Sequence, residues 1–293
     1  MTAPTTEVTP VGTRTAQRWA AWHAERERDL ATPHGWLSLV AYHWLPAEPS
    51  RLPGLPGLWW ADADGARTRP GSAPDEHGSL HADDVVDGSA DAVVAEGASR
   101  ILGTFLPAGR SPLDADPGAT AEVAVELVRR TGRYAVRVRD PHAPALLGFA
   151  GVPVFGHDDA WVLDATVRLF AEPRAETVGA ARIGLVHRTQ VVGEVDLPYP
   201  GDPARTVTLA LTGKPGGATL LLFSDEAAGV APWRVLWLDL PETLAPGAEG
   251  TVRVDLNRTI NLPYAFSDHG TCPAPVPGNH VPFAVTAGEK APR

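Results

Sequence analysis

The stretch Ala121-Glu-Val-Ala-Val-Glu-Leu-Val-Arg-Arg-Thr-Gly-Arg-Tyr-Ala-Val-Arg-Val-Arg-Asp140 reads as two strands joined by a tight turn at Thr131-Gly132. Val123, Val125 and Leu127 fall on one face of the first strand. On the second, Tyr134, Val136 and Val138 face one way, and Arg133, Arg137 and Arg139 face the other. A period of two is the signature of a half-buried strand, not of a helix. Outward from this hairpin the pattern repeats. Short strands are predicted at 83–87, 91–95 and 98–106 before it, and at 161–170, 178–187, 192–197, 206–212, 218–223, 233–238 and 251–256 after it. Nearly all are bounded by Gly, Pro or Asp, and no helical periods separate them. That excludes a doubly wound α/β fold, whose crossovers need helices. A helix is expected only near the N-terminus, where Trp19, Trp22, Arg26 and Leu30 share one face and Pro33 ends the run. Gly35–Leu45 reads as a buried strand with a bend. The expected fold is mainly β: a single-domain β-sandwich or partly open barrel of short antiparallel strands with an N-terminal helix. Residues 1–12 are expected to be disordered, 13–32 to form the helix and 33–293 to form the β-rich domain.

Composition agrees. Gly and Pro each number 29 in 293 residues, about a fifth of the chain together, against an average of about 12%. Coiled coils, long bundles and helical solenoids are excluded, because helix interiors penalise both residues. The net charge of −10 lacks the basic footprint of nucleic-acid binding or of a membrane surface patch. One cysteine, Cys272, forbids an internal disulfide. The start, Met1–Glu7, has no basic or apolar run, so no signal peptide is expected. The longest apolar stretch, Ala218–Phe223, has strand length and not membrane length. The expectation is a cytoplasmic protein that meets neither nucleic acid nor membrane. Its oligomeric state is left open.

Linear catalytic motifs are absent: no Walker A, GxGxxG, HExxH, GxSxG or CxxC. The most unusual segment runs from Val254 to Asn279, where a strand gives way to Asn257, Arg258 and Asn261. A loop carrying Tyr264, Ser267, Asp268, His269 and Cys272 follows, with five prolines between 263 and 282. Proline fixes φ and lowers the entropy of the unfolded loop, so the polar groups are pre-organised as a binding site requires. The competing explanation is structural: the asparagines satisfy loop backbone groups and Arg258 pairs with a carboxylate. His269, Cys272 and His280 lack the fourth ligand of a structural zinc site, so neither metal nor cofactor is expected. Cys272 with His269 is retained as a catalytic pair, against the alternative of a small buried thiol. Arg137 and Arg139 are candidates for binding a carboxylate or phosphate, against the alternative of a surface ion-pair ladder. His77 and His81 lie four apart in a Gly/Ser loop and read as solvated. Trp59-Trp60, Trp233 and Trp237 read as core or edge packing.

Gly35-Trp-Leu-Ser-Leu-Val, Tyr134–Asp140, Phe149-Ala-Gly151, Phe223-Ser-Asp225, Asp255-Leu-Asn-Arg258, Asn261, Ala265-Phe266, Thr271-Cys-Pro273, Asn279 and Ala287-Gly-Glu-Lys290 occur in that order. Together they resemble the DUF1684 family, a bacterial and archaeal domain of unknown function, over residues 18–290. The resemblance implies a mostly β domain and supplies no activity, cofactor or catalytic residue. It places the family signature on the polar C-terminal segment. The family pattern has a second cysteine where this chain has Tyr264, and Asn-Arg-Leu where it has Asn279-His280-Val281. A two-cysteine redox or metal site is thereby excluded, and the chain reads as a divergent member.

The functional expectation is a small-molecule pocket near the Asn-Arg/Cys-Pro loop that binds an anionic metabolite through Arg137, Arg139, Asn257, Arg258 and Asn261. Cys272 and His269 would carry any chemistry. The alternative is a non-catalytic binding or protein-interaction module. Convergence of Arg137, Arg258, Asn261 and Cys272 on one concavity separates a site from scattered structural roles.

Overall fold

The computed structural model describes residues 11–70, 79–81, 90–112, 120–214 and 217–292. The fold is mainly β with an N-terminal helix, and its largest sheet curls into a half-barrel of antiparallel strands. This is the partly open barrel of the two expected architectures. Among the described residues, no helix is long and apolar enough to cross a membrane.

Helix α1 (Val11–Leu30) begins two residues before the expected 13–32 and ends two residues before its expected end. Of the segment expected to be disordered, residues 1–10 lie outside the described residues, as do the strand predicted at 83–87 and His77. A 3-10 turn (Trp36–Ser38) supplies the expected bend before β1 (Leu39–Trp44). Strands β2 (Leu58–Ala61), β3 (Ala66–Arg69) and β4 (Ala90–Ala92) pair as a small sheet. Strands β5 (Ser99–Phe105), β6 (Val123–Arg130) and β7 (Arg133–Arg139) join β1 in a four-stranded sheet of order β1-β7-β6-β5. The β6–β7 turn is a two-residue connection with positive φ at both Thr131 (52°) and Gly132 (75°). This twist suits a hairpin, and the carboxylate of Glu96 accepts both turn N–H groups.

A one-turn helix α2 (Pro144–Leu147) leads to the large sheet. Its strands are β8 (Val162–Gly179), β9 (Val186–Tyr199), β10 (Asp202–Gly213), β11 (Thr219–Asp225), β12 (Arg234–Leu238), β13 (Glu249–Asp255), β14 (Ile260–Asn261) and β15 (His280–Val281). The order is β13-β8-β9-β10-β11-β12-β14, with β15 alongside β11. The segments 161–170 and 178–187, expected as two strands, are corrected here. Residues 162–179 form one strand, and 180–185 turn into the next. Pro173 marked a break in the sequence, but it sits where the β8–β9 register shifts between Leu169 and Arg174. A bulge tolerates a residue with no N–H to donate.

Two apolar cores follow from strand alternation. Val167, Val195, Leu197, Leu209, Leu221, Phe223, Leu236 and Val254 fill the half-barrel. Trp59, Phe105, Val125, Leu127, Val136 and Val138 fill the space between the two smaller sheets. Trp59 is core, as expected, whereas Trp237 is 52% exposed.

The C-terminal segment closes the half-barrel through buried polar bonds. Arg234, at 0% exposure, donates to the Asp225 carboxylate at 2.7 Å and to the carbonyls of Val285, Ala287 and Glu289. The Asn279 amide bonds both backbone groups of Ala210 and the carbonyl of Leu222, standing in for a ladder partner where β10 and β11 separate. Gly288 has φ +73°, and a Cβ there would collide with the carbonyl of Thr259.

Removing one partner of a fully buried ion pair leaves an uncompensated charge, a cost of about 3–5 kcal/mol. Asp225→Ala is expected to lower stability by that order in a denaturant titration. The double replacement Asp225→Leu with Arg234→Met is expected to lose less than the single one. A loss below about 1 kcal/mol for Asp225→Ala would show that the pair does not anchor the C-terminal segment.

Candidate functional site

The residues singled out in the sequence separate into two places. Asn257, Arg258 and Asn261 lie where β13 passes into β14, beneath α1. Asn257 is 1% exposed and fully engaged. Its amide bonds the backbone N–H and carbonyl of Asp158 and the Asp255 carboxylate, and its carbonyl accepts from the Trp19 indole at 2.7 Å. Asn261 donates its side-chain amide to the Lys290 carbonyl and its backbone N–H to Glu289. Arg26 of α1 donates to its carbonyl. Burial pushes the Glu289 carboxyl up, against the opposing pull of Arg26 and the Asn261 N–H. Arg258 is half-exposed, 3.6 Å from Asp255 and over the Trp22 ring. These bonds tie α1 and the C-terminal segment to the half-barrel.

Arg137 and Arg139 occupy a different surface. One face of β6 and β7 is apolar and packs on Trp59. The other carries Glu126 and Arg130 from β6 and Arg133, Arg137 and Arg139 from β7. In register, Tyr42 of β1, Arg137 of β7 and Glu126 of β6 lie side by side across three strands. A surface ladder was the alternative to a site, but this face is covered. Arg137 is 3% exposed, Arg139 5%, Tyr42 5% and Arg130 8%. The cover comes from the other sheet: the β8–β9 connection and the loop at Thr271-Cys272. Ala181 N–H donates to the Cys272 carbonyl and Ala274 N–H to the Gly179 carbonyl, both at 2.9 Å. The His187 ring bonds the Thr271 carbonyl at 2.5 Å. Arg182 sits over the Tyr42 ring at 4.9 Å.

The bonding on this face is unequal. Arg139 uses four of its five N–H donors, with two bonds to Glu126 and two to the carbonyls of His34 and Gly35. Arg137 reaches Glu126 only at 3.4 Å and donates to the Thr271 hydroxyl at 2.6 Å. Trp36 lies against both guanidiniums, at 5.2 and 4.6 Å. Arg130 donates to the carbonyls of Ala98 and Arg129. Arg137 Nε, Arg130 Nε and the Tyr42 hydroxyl have no hydrogen-bond partner among the described residues. Burial opposes ionisation of Glu126, but Arg137 and Arg139 together outweigh it and hold the carboxyl below its usual range. Burial raises the Tyr42 hydroxyl and lowers the His187 ring, so both are neutral at physiological pH.

Cys272 borders this face, and burial pushes its thiol up to about 11. A thiol held there is protonated and is not the activated nucleophile of a catalytic pair. Its nearest hydrogen-bonding neighbour is the backbone of Tyr264, whose hydroxyl bonds both backbone groups of Trp233. No bond joins His269 to Cys272; the His269 backbone N–H donates to the Ser267 hydroxyl. Among the described residues, no group of three His, Cys, Asp or Glu is arranged to hold a metal. His280 bonds Ser224 and Glu226 at the surface.

Sequence reasoning found Arg137, Arg139 and Cys272 but missed Tyr42, Arg130, Arg182, His187 and Thr271. Glu126, Val128 and Arg130 alternate with the apolar side of β6, which was a usable signal for Arg130. Nothing local marks Arg182 or His187, which arrive from another sheet.

No curated protein matches this sequence. A solution NMR structure of an uncharacterized protein from Haloarcula marismortui is similar, with 24% identity over 49% of this chain and 77% of that one and a TM-score of 0.39. A family model, DUF1684, a protein of unknown function, matches residues 147–290, a narrower span than the 18–290 over which the quoted motifs run. The matched span includes the clamp that closes the half-barrel, and through residues 147–290 the chain belongs to the DUF1684 family.

Proposed function

We propose that this protein binds a small anionic metabolite on the arginine face of the four-stranded sheet, beneath Thr271-Cys272 and the β8–β9 connection. The observation that carries this reading is the set of three buried polar atoms left unpaired on one face: Arg137 Nε, Arg130 Nε and the Tyr42 hydroxyl. A buried donor without a partner costs about 1–3 kcal/mol, and more when charged. An anion accepting from all three would recover that cost and bind selectively. Arg139 serves as a positioning residue, because its four bonds fix Glu126 and the Gly35 turn. Asn257, Asn261 and Arg258 hold the scaffold and do not contact the ligand in this reading.

A protonated Cys272 favours binding without covalent catalysis over the enzyme with a Cys272–His269 pair. Because the site draws on both larger sheets, residues 33–293 are proposed to act as one unit. The net charge of −10 argues against a nucleic-acid partner, and the single cysteine agrees with a cytoplasmic setting.

Two results check this reading. Binding to the folded state raises the melting temperature, by about 2.7 kcal/mol of stabilisation at a hundredfold excess over Kd. Phosphate, sulfate, acetate and succinate are to be compared with sodium chloride at equal ionic strength. At least one is expected to raise the melting temperature, and Tyr42→Phe and Arg137→Gln are expected to diminish the rise. No shift with any of them would refute the reading. The second measurement is alkylation of Cys272 by iodoacetamide. A thiol raised to about 11 stays protonated through neutral pH. Labelling of the folded protein should lag far behind that of the unfolded chain until the pH approaches that value. Rapid labelling at neutral pH would restore Cys272 as a nucleophile.

A further inference from the structure

The anion site gains its ligand class from a count of charges. Arg130, Arg137 and Arg182 meet around Tyr42, Arg139 lies two residues along β7, and among the described residues the only carboxylate bonded to any of these four is Glu126. Glu126 gives its close contacts to Arg139, at 2.7 and 2.9 Å, and touches Arg137 only at 3.4 Å. Glu96, the next carboxylate along, is committed to the β6–β7 turn. Arg130 bonds carbonyls alone, and among the described residues no carboxylate pairs with Arg182. One cation of the four is therefore neutralised at close range, and a second only weakly. Cations taken out of water without a counter-charge are costly, and each unit of negative charge placed beside them is stabilising.

We propose that the metabolite is a phosphate monoester dianion, held by Arg130 and Arg137 of the sheet, by the Tyr42 hydroxyl and by Arg182 at the tip of the β8–β9 hairpin. This rests on the anion-site reading above and adds the ligand's charge and a further binding residue. A carboxylate supplies one charge and two acceptor oxygens. A phosphate monoester supplies between 1.5 and 2 charges at neutral pH and three acceptor oxygens, roughly matching the unpaired donors and the excess of cations. A phosphodiester carries one charge, so the same count selects against the nucleic-acid backbone.

Arg182 is placed to complete the site by the fastening of the tip. Ala180 bridges to Pro273, Ala181 and Gly179 bond the backbone of Cys272 and Ala274, and His187 bonds Thr271. The guanidinium is thereby held over Tyr42 with no ion pair among the described residues to break. Being half-buried at a turn, Arg182 can be replaced without opening the core.

The test is a calorimetric titration of the full chain with methyl phosphate, dimethyl phosphate and acetate at one slightly alkaline pH and constant ionic strength. Methyl and dimethyl phosphate share the phosphorus centre and differ by one charge. Methyl phosphate is expected to bind at least about tenfold more tightly than the other two, the factor that one strong charge-assisted bond supplies. In Arg182→Gln that advantage is expected to shrink by about the same factor, with the melting temperature of the free protein unchanged. In Arg130→Gln, binding of methyl phosphate is expected to fall further. Equal binding of acetate or dimethyl phosphate would overturn the dianion assignment while leaving an anion site in place. An undiminished advantage in Arg182→Gln would remove the hairpin tip from it. If the wild-type protein binds none of the three, the anion-site reading itself fails.

Discussion

The guanidinium of Arg234 lies inside the curled sheet with no exposure to solvent, and the rest of the half-barrel is arranged around it. Its partners are the Asp225 carboxylate and three carbonyls of the C-terminal segment. A charge so placed must be paired; both terminal nitrogens of the guanidinium are bonded while its Nε has no partner among the described residues, and that pairing dictates where residues 285–289 run. Their course brings Glu289 under Asn261 and Arg26, which ties down α1 and the start of β14. Asp225, Asn261, Gly288, Glu289 and Lys290, which lie in the motifs quoted from the sequence, take part in this closure. Their polar side chains face one another and the backbone, which is why they looked like a binding site in the sequence.

With the half-barrel closed in this way, its longest hairpin is free to do something else. β8 and β9 extend past the bulge at Pro173, and their connection reaches the loop at 271–274. That contact covers the polar face of the four-stranded sheet. The β6–β7 hairpin is consequently buried on both sides, by Trp59 and its neighbours on one and by the C-terminal loop and the β8–β9 connection on the other. An arginine row that would be an ordinary solvated face on an open sheet becomes a desolvated one, where each unpaired N–H has consequences.

Much of the architecture was legible from periodicity. Alternation at 121–140 fixed the hairpin and the sidedness of Tyr134, Val136 and Val138, and Thr131-Gly132 marked its turn. Punctuation by Gly and Pro found most strands of the large sheet. It misled at 171–177, because Pro173 in a bulge leaves the same trace as a Pro in a loop. The candidate site was legible in part. Arg137, Arg139 and Cys272 were visible as unusual residues, but Asn257, Arg258 and Asn261 belonged elsewhere. Asparagines that cap loop backbone and asparagines that bind a ligand have the same composition and the same setting.

By itself, the sequence determined that the protein is mainly β with one N-terminal helix, and that Arg137 and Arg139 share a face opposite a core. Those are local consequences of side-chain period and turn chemistry. Only the tertiary structure decided which polar residues satisfy one another and which are left over. Tyr42, Arg130, Arg137, Arg182 and Thr271 come together from segments as far as 229 positions apart, from Tyr42 to Thr271. Pairing of a buried charge depends on what the chain brings within about 3 Å of it, and no local pattern of residues encodes that distance.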